Sequence, residues 1–189
     1  TVLTVNNVSK KFADTEVLKN ISFEIQRGEK VAIIGPNGIG KSTLLKIILD
    51  QLTADEGSFE WGYEANTSYF AQDHHEQLRG KISAYDWLYA TAPHEPIGAI
   101  RGLLGRVLFS GDEALKQVSA LSGGESARLL FARIMLEKRN ILILDEPTNH
   151  MDLEGVAALG DALQAFEGTV LVVSHYRHFV SRWLHTSSS

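Results

Sequence analysis

The chain has 189 residues, 44% hydrophobic and 22% charged, which fits one globular domain with a sizeable core and, at most, a small appended lobe. It has no cysteine, which excludes a disulfide framework, a thiol nucleophile and a cysteine zinc site. Its formal charge of -5 offers no general attraction for nucleic acid, and no apolar run approaches the roughly 20 residues of a membrane span.

In chain order, the first segments read as strands at 1–5 and 21–25, separated by polar turns. Residues 30–34, KVAII, form a continuous apolar run suited to a buried strand. This run feeds a glycine-rich loop and then the helical stretch LLKIILDQL. Short strands are predicted at 58–61 and 67–70, and helical segments with Leu, Ile, Trp and Ala from about 82 to 117. A buried strand, ILILD, starts at Ile141; Val156, Leu159, Leu163 and Phe166 then follow at helical spacing, and TVLVVSH forms another core strand. Strands alternating with helices predict an α/β domain whose mostly parallel sheet is covered on both sides, with a helical lobe inserted into it.

Gly35-Pro36-Asn37-Gly38-Ile39-Gly40-Lys41-Ser42 matches G-x-x-x-x-G-K-[ST], between a predicted buried strand and a predicted helix. Glycines let backbone amides converge on phosphate oxygens, and a helix start adds positive potential. Lys41 is expected to reach the β- and γ-phosphates, and Ser42 to ligate Mg2+. The strand ILILDE is expected to bring Asp145 beside that ion and Glu146 beside an attacking water. Gln72 and His175 follow apolar runs; at the carboxyl edge of a sheet either could face the γ-phosphate, or simply be solvated. The adjacent His74 and His75 sit in a polar loop and are assigned no site. LSGGESARL, from Leu121, places a hydroxyl and two glycines before an amphipathic run, a second anion cradle or a plain helix cap. Ala127, Leu130, Phe131 and Ile134 have the spacing to hold that helix against a core.

The glycine-rich phosphate loop, the strand-end Gln, LSGGE, LDEP and SH, in that order, resemble the ATP-binding cassette (ABC) ATPases over nearly the whole chain. The resemblance implies a P-loop NTPase fold with a mostly parallel core sheet, an antiparallel β subdomain and a helical subdomain at about 73–122 that ends at the signature motif. Residues 1–189 then make one cassette. Phosphate-loop contacts extend to Thr43, and Gln72 becomes a Q-loop residue touching the metal. Ser122, Gly123 and Gly124 become the signature, Asp152 the D-loop acid and His175 the switch histidine. Phe12 is either the aromatic that stacks on adenine or a core phenylalanine. In this family two cassettes pack head to tail, each signature covering the γ-phosphate bound by the other. The helix start and close backbone approach at Ser122–Gly124 suit that task.

LDEPTNHMDLE and LSGGE look most like the ABC-F group, soluble cytoplasmic proteins with two cassettes in one chain, whose well-understood members act on ribosomes and translation; Met151 stands where Leu is usual. The short segment between Gln72 and Leu121 points to a C-terminal cassette. Thr1 at the start, and methionines only at Met135 and Met151, read as a piece of a longer product, whose final serines form a tail. Two departures are noted. Tyr176 follows the switch histidine where Asp is usual, which bears on the hydrolysis rate; the chain also ends soon after it, which is expected to reduce stability or open a sheet edge. The implied activity is Mg2+-dependent ATP hydrolysis, weak in the isolated domain. Its partners are a second cassette and, by resemblance alone, the ribosome or its RNA, with no membrane insertion. The alternative is the nucleotide-binding subunit of an ABC transporter. A DNA-repair or chromosome-associated cassette is disfavoured, because there is neither a cysteine zinc set nor a coiled-coil insertion.

Overall fold

The computed structural model describes residues 1–34, 39–70, 80–107, 111–149, 151–175 and 179–180. Its first 25 residues fold back on themselves at Ala13 and Asp14, pairing β1 (Leu3–Phe12) with β2 (Thr15–Ile25). Both strands run through the polar stretch expected to be turns. That stretch hides its strand character because three register shifts break the alternation of faces, and Asn7 and Asn20 take left-handed φ angles of 52° and 51°. With β4 (Glu56–Trp61), these strands form a three-stranded antiparallel sheet of order β2-β1-β4.

The second sheet has four parallel strands in the order β3-β7-β6-β5: β3 (Lys30–Ile34), β7 (Thr169–Ser174), β6 (Ile141–Asp145) and β5 (Thr67–Phe70). Strands β6 and β7 are buried at every position, as their unbroken apolar runs require. β3 departs from the expectation of full burial. It is an edge strand among the described residues, half-buried, with Ile34 41% exposed.

Alternate residues of the parallel sheet serve two separate cores. Ile141, Ile143, Leu171 and Val173 pack with Leu44, Leu45, Ile47 and Ile48 of α1 (Ile39–Ile48) and with the antiparallel sheet. Leu142, Leu144, Val170 and Val172 pack on the opposite face with the remaining helices. There α2 (Ala84–Thr91) and α3 (Ile97–Arg106), which lie between β5 and α4, join α4 (Gly123–Leu136) and α5 (Leu153–Ala165). Leu130, Phe131 and Ile134 of α4 are buried, and so are Val156, Leu159 and Leu163 of α5, as their spacing predicts. Ser83 caps α2 by accepting a bond from the Asp86 amide. Trp61 of β4 ties the antiparallel sheet to α1 by donating from Nε1 to the Ile48 carbonyl at 2.8 Å, satisfying an orphan acceptor at the end of the helix.

Candidate nucleotide site

Because the four core strands are parallel, their carboxyl ends meet at one edge, where ligands of open α/β sheets bind. β3 ends there at Ile34, and α1, from Ile39, carries Lys41 and Ser42. Gly40 sits under the antiparallel sheet; a Cβ there would lie 3.1 Å from the Val17 carbonyl oxygen, so the close approach favours glycine. Gly35, Pro36, Asn37, Gly38, Gln72 and Tyr176 lie outside the described residues, as does the side chain of Ile39.

Strand β6 delivers two acids to this edge. Asp145 is buried at its last position, and Glu146 turns the chain with φ 47°, a left-handed conformation unusual for a residue with a side chain. The turn is anchored by the Glu146 amide, which donates to the Val173 carbonyl at 2.8 Å. Lys41 Nζ stands 3.4 Å from Glu146 Oε1. On the other oxygen, His175 Nδ1 lies 2.8 Å from Glu146 Oε2, and the His175 amide donates to the same atom at 3.3 Å. A carboxylate oxygen accepts, so this contact is a hydrogen bond in the tautomer that carries its proton on Nδ1.

Asp145 is held differently. Ser42 Oγ donates to its Oδ2 at 3.5 Å and Tyr69 Oη donates to the same oxygen at 3.4 Å. Oδ1 is buried and has no hydrogen-bond partner among the described residues. Burial, and then the neighbouring charge of Glu146, push the Asp145 carboxyl above its ordinary value, against the opposing donors Tyr69 and Ser42 and the charge of Lys41. Burial, followed by the Asp145 charge, raises the Tyr69 phenol to about 12. Sequence reasoning did not single out Tyr69, because its contact depends on the register between β5 and β6.

Thr43 is buried in the same first turns of α1. Phe12 ends β1 at the hairpin tip, 41% exposed, with Lys10 Nζ 5.6 Å from its ring centre. The core alternative for Phe12 does not hold. The tip lies near the start of α1, since Phe12 pairs with Thr15 and Val17 touches Gly40.

A second group of predicted residues gathers around the start of α4. Ser122 is its N-cap and forms a reciprocal box: the Glu125 amide donates to Ser122 Oγ at 3.2 Å and the Ser122 amide donates to Glu125 Oε1 at 3.1 Å. Gly123 and Gly124 form the first turn. Lys116 pairs with Glu125 at 2.9 Å. Partial burial would raise the Glu125 carboxyl, but the Ser122 amide and Lys116 outweigh it and hold the group below its ordinary value. Asp152 caps α5, accepting from the Gly155 amide at 2.7 Å. Ser122 and Asp152 line one polar cleft of about 310 Å³ with Lys116, Glu125 and Arg128. The predicted residues thus fall into two clusters, one at the sheet edge and one at two helix starts.

A family model described as ABC transporter matches residues 18–149. "Probable ATP-binding protein YbiT" of Escherichia coli O157:H7 is 42% identical over 180 residues, covering 95% of this chain and 34% of that protein. "ABC transporter F family member 5" of Arabidopsis thaliana is 40% identical over 182 residues, covering 96% of this chain and 26% of that protein. Among solved structures, cbiO1 from Clostridium perfringens, described as part of the ABC transporter complex cbiONQ, has a TM-score of 0.74 at 27% identity, covering 96% of this chain and 81% of its own. The chain spans about a third or less of the length of those two curated relatives. It belongs to the ABC transporter family, as an ATP-binding cassette of the ABC-F type.

Proposed function

We propose that this cassette binds ATP with Mg2+ at the sheet edge and hydrolyses it when a second cassette closes over it. The observation that carries the reading is the convergence of Lys41, Ser42 and His175 on the acids Asp145 and Glu146. The donor set fits a hard divalent cation: a hydroxyl, a carboxylate and, on Asp145, a buried oxygen without a hydrogen-bond partner among the described residues. Ser42 and Asp145, with Gln72, would hold Mg2+. When bound, it neutralises charge on the phosphate oxygens.

The chain's own groups supply the rest. Lys41, with amides of the Gly35–Gly40 loop and Thr43, binds the triphosphate, while Phe12 stacks on the base. Glu146 orients the attacking water and takes its proton; His175 holds the Glu146 carboxylate through Nδ1. Ser122, Gly123, Gly124 and Asp152 serve the nucleotide of the opposite cassette. Ser122 accepts in its helix cap and still has its own hydroxyl proton to donate, so capping and phosphate binding are compatible. Because each site is then half of a shared one, the isolated domain is expected to be a weak ATPase. Residues 1–189 act as one cassette, with residues 73–122 as its helical subdomain.

The relatives support an ABC-F setting; from the family resemblance of the motifs, the proposal extends to a cytoplasmic, two-cassette protein acting on the ribosome in translation. No helix among the described residues is long and apolar enough to cross a membrane. The likeness to cbiO1 favours a second reading, a nucleotide-binding subunit of a transporter. Co-sedimentation of the complete gene product with ribosomes in ATP separates the two readings, using Glu146→Gln to prolong the closed state. ATP-dependent pelleting supports translation; none, with ATP-dependent capture by membrane subunits, overturns it.

A further inference from the structure

Tyr69 lies on β5 opposite Ile143 of β6, so it faces the same side of the sheet as Ile143 and Asp145, the side on which α1 packs. Asp145 is two positions further along β6, the diagonal neighbour that a long side chain can reach. The Tyr69 hydroxyl covers that distance and donates to Asp145 Oδ2 at 3.4 Å, where Ser42 Oγ also donates at 3.5 Å. Two donors from two different elements thus engage one carboxylate oxygen. The other oxygen is buried and has no hydrogen-bond partner among the described residues. A carboxylate pinned through one oxygen cannot rotate freely, which fixes where its second oxygen is offered.

We propose that Tyr69 is a positioning residue for the divalent cation, its hydroxyl clamping Asp145 through Oδ2 so that Oδ1 is kept for the metal. This rests on the reading of Asp145 as the cation's carboxylate. The proposed effect of Tyr69 on the cation runs through Asp145. Its ring packs beside Ile143 in the core under α1, and the hydroxyl is the part that bears on the metal.

The test is the Mg2+ dependence of binding of a non-hydrolysable ATP analogue to the complete gene product. Asp145→Asn identifies the Mg2+-dependent component that belongs to this site. Tyr69→Phe, which keeps the ring, is expected to raise the Mg2+ concentration for half-maximal binding in that component by about 10-fold. Analogue affinity without Mg2+ is expected to stay unchanged. Tyr69→Met, which also removes the ring, is expected to give the same shift. An unchanged Mg2+ requirement in Tyr69→Phe overturns the proposal, as does a shift confined to Tyr69→Met, which would make the effect one of packing. If Asp145→Asn itself leaves the Mg2+ dependence intact, the metal reading of Asp145 fails first, and the proposal with it.

Discussion

His175 Nδ1 sits 2.8 Å from Glu146 Oε2, and the backbone amide of the same histidine donates to that oxygen at 3.3 Å. One residue, just past the end of β7, therefore grips twice the proposed base that follows the neighbouring β6. If His175 works only by orienting Glu146, its effect requires the carboxylate. Glu146→Gln is expected to preserve ATP binding and slow hydrolysis by about 100-fold or more. His175→Ala is expected to slow it by about 100-fold through misplacement of the base. The double variant should be no slower than Glu146→Gln alone. Steady-state phosphate release from the complete gene product reads all three, and additive losses would show that His175 acts independently.

Lys41 stands 3.4 Å from Glu146 and is the cation expected to meet the phosphates. Lys41→Ala should weaken ATP by roughly 10- to 100-fold, the loss of one or two charge-assisted bonds. Titration with a fluorescent ATP analogue measures it. Unchanged affinity would remove Lys41 from the phosphate site.

Gly155 is fitted into a narrow gap at the start of α5. A Cβ there would come within 2.9 Å of Asp152 Oδ1 and 3.3 Å of Arg128 Cδ. Alanine ordinarily strengthens a helix by up to about 1 kcal/mol relative to glycine. Here it has to displace the Asp152 cap or push on Arg128, whose Nη1 donates to the Val107 carbonyl at 3.3 Å. Cap loss and overpacking outweigh the propensity gain, and Gly155→Ala should destabilise by about 1 kcal/mol. Urea unfolding decides the sign; a more stable variant would mean that the cap yields easily.

The Glu125 carboxyl is held below its ordinary value of 4.5. A depressed folded pKa contributes stability that is fully present above 4.5 and lost as pH falls through the lower folded value. Glu125→Gln keeps a capping acceptor but removes the charge at the helix start and toward Lys116. The native chain should exceed this variant by about 0.5 kcal/mol near neutral pH. Denaturant melts should show the gap closing below pH 4.5. A gap that persists into acid would assign the effect to geometry rather than charge.

Which parts of this architecture could be read directly from residues follows from how each part is buried. β6 and β7 are covered on both faces, so their apolar runs are continuous and plain in the sequence. The β1–β2 hairpin exposes many positions and shifts register three times, so no period of two survives across residues 6–20. Lys41, Ser42, Asp145 and Glu146 were legible because each follows a strand–loop pattern that is local in sequence. The contact between Tyr69 and Asp145 was not: it spans 76 residues and depends on which residue of β5 lies opposite which residue of β6. The exposure of Phe12 was equally hidden, since composition cannot say on which side of a hairpin tip a ring lies.

The sequence of β6, Ile-Leu-Ile-Leu-Asp, sends its isoleucines to the core shared with α1 and its leucines to the core shared with α4. Both faces are therefore almost equally oily, and across the four aliphatic positions alone a one-residue slip would cost little in hydrophobicity. At those positions what resists it is branching: a β-branched side chain and a γ-branched one of equal volume do not fill the same hollow. A slip that brought Glu146 where Asp145 stands would also drive the Asp145 carboxyl into the buried, apolar position of Leu144, a second and larger penalty. The choice between isoleucine and leucine, commonly treated as neutral, thus acts with the strand-end acid as a proofreading key for which carboxylate stands beside Ser42.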